Sequence, residues 1–181
     1  MSTEHPWELL SKKIVYKNRW ITVHEDAVKT PTGSDGIYGY IESNDSVIIV
    51  ALNDKDEMYL VRRYVYPHHK WTWGLPGGGG DKERSIVASK RELEEETGIL
   101  AKTWDWLGET TVCDGLMTEH MTTYLARDLS FSGQKEYSDE QIEAAKFFSK
   151  SEITDMIRTG KLDDGQVLTA LQLFSIWQSG Q

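Results

Sequence analysis

The sequence predicts an α/β fold with a mixed sheet lying between helices, and three observations predict it. Runs rich in β-branched and aromatic residues, broken by turn signals, fill the first third of the chain. A segment without Pro or Gly, Ser85 to Thr97, is built from strong helix formers. Two segments with capping-box spacing close the chain. At 181 residues the chain suits one domain, with room for a small appended element and a sizeable core.

The elements follow in order. From Lys12 to Leu60 the text reads as strands: Trp20 to His24 before the Pro31-Thr32-Gly33 turn, Ile37 to Ile41 after it, then Val47 to Leu52. That last run is apolar throughout and predicts a central strand. Asn53-Asp54-Lys55-Asp56 is a turn, with Met58 to Tyr66 as the hairpin partner of the preceding strand. Ser85 to Thr97 predicts a helix ended by Gly98, a residue that tolerates left-handed geometry. Trp104 to Val112 and Thr122 to Ala126 predict strands joined by a loop from Cys113 to His120, and Ser130 to Glu140 reads as a polar loop. Ser149 with Glu152, and Asp163 with Gln166, mark two helix starts, and Gly160 stops the first helix. Val167, Ala170, Leu171, Phe174 and Trp177 line one face of the second.

The central helix carries the chemistry. Glu92, Glu95 and Glu96 stand at i, i+3 and i+4 and share one face, beside an inward stripe of Ile86, Ser89 and Leu93. Like charges so close repel, a cost that disappears when a divalent cation or an arginine lies between them. Oxygen-only ligands favour a hard ion, Mg²⁺ or Mn²⁺, over zinc. The run Leu75-Pro76-Gly77-Gly78-Gly79-Gly80-Asp81 leads into this helix and lets backbone approach a ligand closely. A Glu-rich helix is ordinarily a solvated face, but here Gly77, Glu83, Arg91-Glu92-Leu93, Glu95-Glu96, Gly98 and Ile99 fall at one defined spacing.

That spacing resembles the Nudix box at every defining position. The resemblance implies an α/β/α sandwich with a mixed sheet and additional N-terminal antiparallel strands, and a hydrolase whose Mg²⁺, with Mn²⁺ as a substitute, is held by Glu92, Glu95, Glu96 and the Gly77 carbonyl. Arg91 then orients Glu95. The chain departs from the pattern at Lys82, where a glycine often precedes the glutamate, and Pro76 to Glu83 is a residue shorter than in many relatives.

Leu60-Val61-Arg62-Arg63-Tyr64 and the stretch Met156 to Asp164 resemble the ADP-ribose and nucleoside-diphosphate-sugar pyrophosphatases. This branch implies residues 1–43 as N-terminal strands for dimerisation and substrate binding and residues 44–181 as the hydrolase domain, in a homodimer. Trp20, Tyr38 and Tyr40 become candidates for stacking on a nucleobase. Arg62 and Arg63 alternate across a strand, so one of them, Arg63 by preference, grips a phosphate. The loop acids Glu136, Asp139, Glu140 and Glu143 are candidates for catalytic base, with Glu140 preferred as base, as a further metal ligand, or as both in turn. The reaction implied is hydrolysis of a nucleoside diphosphate sugar, ADP-ribose or a nucleotide sugar such as GDP-mannose, to a nucleoside monophosphate and a sugar phosphate. The alternatives are a house-cleaning hydrolase of nucleoside triphosphates or dinucleoside polyphosphates, and a non-catalytic nucleotide sensor.

The formal charge of −9 argues against duplex nucleic acid as a partner, since that affinity comes mainly from neutralised phosphates. Cys113 is the only cysteine, so no intramolecular disulfide forms and a reducing cytoplasm is the expected home. No apolar run is long enough to span a bilayer, and no signal peptide is expected. His68 and His69 are adjacent and read as exposed loop residues, while His120 reads as structural.

Overall fold

The computed structural model describes residues 6–80, 82–132 and 142–180. Its backbone divides into two compact units, residues 1–44 with 111–120, and residues 45–110 with 121–181.

The first unit is a four-stranded antiparallel sheet. Strands β1 (Glu8–Ser11) and β2 (Ile14–Lys17) share one edge of β3 (Ile21–Lys29), and β4 (Asp35–Ser43) occupies the other. The β3–β4 turn is the one expected around Pro31-Thr32-Gly33, closed by a bond from the Gly33 N–H to the Thr30 carbonyl. Strand β3 continues five residues past the expected His24. His24 and Asp26 are buried there, with His24 Nε2 2.9 Å from a Glu42 oxygen and Asp26 accepting from the Lys13 N–H. Trp20 precedes the strand, in a turn whose Asn18 side chain accepts from the N–H groups of Trp20 and Ile21.

The second unit contains two sheets. One is mixed, in the order β8 (Gly77–Gly79), β5 (Ser46–Ala51), β10 (His120–Phe131), β9 (Ile99–Thr111), with β5 and β10 parallel and β5 and β8 antiparallel. The other is antiparallel: β11 (Ile142–Phe148), β6 (Met58–Val65), β7 (Lys70–Gly74). Helices α1 (Ser85–Thr97) and α3 (Gly165–Ser179) both pack on β5, and α2 (Lys150–Arg158) precedes α3. Ile49, Val50 and Ala51 are fully buried, as expected of a strand covered on both faces. Val47, Ile49 and Ala51 meet Ala88 and Leu93 of α1 in one cluster.

Strand β6 is not the hairpin partner expected for β5. The two are bridged at Leu52–Met58 but form no ladder, because β8 and β10 already take both edges of β5. The glycine run, expected as loop, includes a strand, β8. Ser130 and Phe131, also expected in a loop, finish β10. Strand β11 went unpredicted, since its charged residues hide the strand pattern. The capping box at Ser149 and Glu152 is present in full. The second helix start moves by one residue: Asp164, rather than Asp163, accepts from the N–H groups of Gln166 and Val167, while Asp163 pairs with Lys70. Val167, Ala170 and Phe174 are buried as expected, and Leu171 and Trp177 are partly so. Among the described residues no helix is long and apolar enough to cross a membrane.

Leu93 joins α1 to the sheet with no exposed area. Leu93→Ala is expected to cost about 3 kcal/mol, as buried leucine truncations do, whereas Leu100→Ala, at a half-exposed position, changes stability by less than about 0.5 kcal/mol. Urea denaturation of the two variants checks the contrast.

Candidate active site

Strand β8 brings helix α1 against the sheet. Its register sets Gly77 beside Ile48, Gly78 beside Val47 and Gly79 beside Ser46. A Cβ at Gly77 would lie 2.2 Å from the Val47 carbonyl oxygen, and one at Gly78 would lie 2.6 Å from a Glu92 carboxylate oxygen. Only glycine fits at Gly77, where the clash is with backbone, whereas a Cβ at Gly78 would displace the Glu92 carboxylate, so the acidic face of α1 rests directly on backbone. The Gly77 N–H donates to Glu96 Oε2 at 2.9 Å, and Glu96 is buried. Gly98 ends the helix at φ +69°, its N–H donating to the Glu94 carbonyl.

Arg91 gathers the remaining acids. Its Nη1 donates to Glu92 Oε1 at 2.8 Å and to Glu95 Oε2 at 2.9 Å, Nε to Glu83 Oε2 at 3.2 Å, and Nη2 to the Gly79 carbonyl at 3.0 Å. Burial works against the charged guanidinium, but the attraction of Glu92 and the bonds to Glu92, Glu83 and Glu95 outweigh it, so its pKa is raised and it stays cationic. Arg91 thus reaches three acids and the glycine strand at once.

A cavity of about 670 Å³ opens beside this cluster. Gly77 and Gly78 form part of its lining, with Arg63 and Tyr66 on one side and Gln166 of α3 on another. Arg63 Nη1 is 3.9 Å from Glu96 Oε1, a cation placed between the cavity and the buried acid. Arg62 points elsewhere: it pairs with Glu143 of β11 and lies 5.6 Å from the Trp71 ring. Glu136, Asp139 and Glu140 lie outside the described residues.

The donor set suits a hard divalent cation. Glu92 and Glu96 offer carboxylate oxygens at a cradle that a Cβ would fill, and no nitrogen or sulfur ligand stands among them. Among the described residues no three His, Cys, Asp or Glu side chains form a complete metal cage. That is compatible with Mg²⁺, which ordinarily takes one or two carboxylates and completes its shell with water and substrate phosphate.

Trp20, Tyr38 and Tyr40 belong to the first unit. Trp20 is exposed with the Arg19 guanidinium 3.9 Å from its ring centroid. Tyr38 meets Trp7 edge to face at 5.4 Å, and Tyr40 stacks on His24 at 4.5 Å. Burial first, then the charges of Asp26 and Glu42, raise the pKa of Tyr40 and keep its hydroxyl protonated. His68 and His69 are exposed, as expected. Sequence reasoning missed Tyr66 and Gln166 in the cavity wall. The proline after Tyr66 was a signal that the strand stops there, whereas nothing in the local pattern places Gln166 near the glycine strand.

A family model described as the NUDIX domain matches residues 42–171, and one described as the nucleoside diphosphate sugar hydrolase N-terminal domain matches residues 7–41. The chain is 29% identical over 140 residues to an ADP-ribose pyrophosphatase of Mycobacterium tuberculosis, covering 76% of this chain and 68% of that protein. It is 25% identical over 156 residues to a CMP-5'-(N-acetyl-N-hydroxy-3-aminopropyl)phosphonate hydrolase of Streptomyces rubellomurinus, covering 86% and 75%. A crystal structure of an ADP compounds hydrolase superposes with a TM-score of 0.87 at 22% identity, covering 100% of this chain and 98% of the other, a likeness of fold.

The glycine cradle makes a structural demand that can be measured. Gly77→Ala sets a methyl against the Val47 carbonyl, where backbone must move, and is expected to lower the melting temperature by several degrees. Gly115→Ala, with open space around it, leaves the melting temperature within about a degree, as surface changes ordinarily do.

Proposed function

The chain belongs to the Nudix family and is a Nudix hydrolase, and from that premise we propose that it hydrolyses the diphosphate of a nucleoside diphosphate linked to a second group, with ADP-ribose or a nucleotide sugar as substrate. The observation that carries the reading is the cradle itself: two carboxylates, Glu92 and Glu96, held against glycine backbone, with the Arg63 cation at the wall of the same cavity. The match of residues 7–41 to the nucleoside diphosphate sugar hydrolase N-terminal domain supports the substrate class. The Mycobacterium and Streptomyces relatives are named for an adenosine and a cytidine nucleotide, so what they share is the nucleotide and not the base.

In this reading Glu92 and Glu96 hold Mg²⁺, with Glu95 and the Gly77 carbonyl as further donors and Mn²⁺ as a substitute. The bound ion supplies neutralisation of phosphoryl charge and a more acidic water. Arg63 binds a phosphate oxygen by a charge-assisted hydrogen bond. Arg91 touches no substrate atom and positions Glu92 and Glu95, turning mutual repulsion into a fixed arrangement. Glu140 accepts the proton of the attacking water as that water adds to one phosphorus. The bridging P–O bond breaks, and a nucleoside monophosphate and a phosphosugar leave.

The N-terminal strands, residues 1–43, are in this proposal the dimerisation element of a homodimer. Leu9, Leu10, Ile14, Val15 and Tyr16 are large, apolar and exposed there, more than scattered surface residues ordinarily are. Light scattering is expected to give twice the chain mass, and a monomeric mass refutes this role.

The reaction is tested by product analysis with Mg²⁺ over ADP-ribose, GDP-mannose, diadenosine polyphosphates and nucleoside triphosphates. Monophosphate plus phosphosugar is expected. Glu96→Gln, nearly isosteric, should lower kcat by about a hundredfold or more, the order that losing one charge-stabilising group costs, with the melting temperature retained. Unchanged Mg²⁺-dependent turnover in this variant would sink the metal assignment, and turnover confined to triphosphates or dinucleotides would discard the substrate class.

A further inference from the structure

The cavity wall runs on past Arg63 to residues that the hydrolytic chemistry leaves unused. Strand β6 and the turn after it contribute Arg63, Tyr64, Val65 and Tyr66 to the lining in succession. At the rise of a strand, Tyr66 stands roughly 10 Å along the chain from Arg63. That span is on the scale of the ribose that separates a phosphate from a nucleobase. A nucleoside whose phosphate is held at Arg63 can therefore reach Tyr66 within the same cavity.

Tyr66 is built to stay in place. It opens a 3₁₀ turn, Tyr66–His68, in which Pro67 restricts the backbone and the His69 N–H donates to the Tyr66 carbonyl at 3.1 Å. His69 adopts left-handed geometry to close that turn. Tyr66 is 76% exposed, with the His69 ring tilted at 5.7 Å from its own, so a platform is presented to solvent with its backbone already fixed. Gln166 lines the same cavity from the first turn of α3. Asp164 is committed to capping that helix, whereas the Gln166 carboxamide makes no hydrogen bond among the described residues. A carboxamide both donates and accepts, as the edge of a nucleobase requires.

We infer that Tyr66 is the stacking platform for the nucleobase of the substrate and that the Gln166 side chain reads the edge of that base. The inference rests on the proposed reaction for its substrate class, but it places recognition on the β6 turn and α3, apart from the aromatic residues of the N-terminal strands. Stacking through the ring face tolerates any base, because every base has a π face. Selection among bases then falls to Gln166.

The test separates base from phosphate by using two ligands that differ only in the base. Calorimetry would measure AMP and ribose 5-phosphate binding to the full chain with Mg²⁺, for the wild type, Tyr66→Ala, Tyr66→Phe and Trp20→Ala. The wild type is expected to bind AMP more tightly. Tyr66→Ala should weaken AMP by about tenfold, within the range of a lost base–aromatic stack, and leave ribose 5-phosphate within about twofold of the wild type. Tyr66→Phe should keep the preference, since the ring face rather than the hydroxyl makes it.

Equal loss for both ligands, no loss in Tyr66→Ala, or no preference in the wild type overturns the inference. So does a loss of AMP affinity in Trp20→Ala with none in Tyr66→Ala. Wild-type turnover of ADP-ribose reports separately on the reaction: its absence removes that reading, while the ratio of the two affinities still decides the stacking.

Discussion

The site depends on a constraint of space: at Gly77 no side chain fits against the Val47 carbonyl, and at the next position, Gly78, one would displace the Glu92 carboxylate. Because β8 presents bare backbone, α1 comes close enough for the Gly77 N–H to bond Glu96 and for Glu92 to lie over Gly78. The order of the mixed sheet follows from the same contact, since β8 takes the edge of β5 that a β5–β6 hairpin would have used. Strand β6 is thereby released to pair with β7 and β11, and it carries Arg63 to the cavity.

Close approach would be unfavourable without Arg91. Glu83, Glu92 and Glu95 carry like charge, and an isolated cluster of that kind would push α1 apart from the loop before it. The guanidinium joins all three and adds the Gly79 carbonyl. A lysine could supply the charge but not four bonds in fixed directions. One side chain therefore sets both the electrostatic balance and the geometry of the acidic face.

Much of this was legible in the residues. The limits of α1 and its Gly98 terminus follow from composition and capping, which act locally, and the acidic face follows from helical periodicity. The alternation of Arg62 and Arg63 is likewise a property of any strand, and Arg63 is the one that lines the cavity. What could not be read were choices made between distant segments. The pairing of β6 depends on which edges of β5 are already taken, the strand character of Gly77–Gly79 depends on Ser46 to Ile48 lying beside it, and Gln166 reaches the cavity only because α3 packs on β5. The continuation of β3 past His24 through buried Asp26 was hidden for a related reason, since their partners, Glu42 on β4 and Lys13 between β1 and β2, lie outside the strand.

The parallel pairing of β5 with β10 has a kinetic side. Ser46 aligns with Met121 and Ala51 with Ala126, so the centre of the mixed sheet cannot close until β6, β7, β8, α1 and β9 have all been traversed. Such pairings lose much chain entropy before they return any packing energy, and they slow folding. Helix α1, 13 residues long, is too short to persist in water by itself, so its acidic face waits on the sheet that gives its acids a floor. The acidic helix and the active site are therefore completed together, in the same late step.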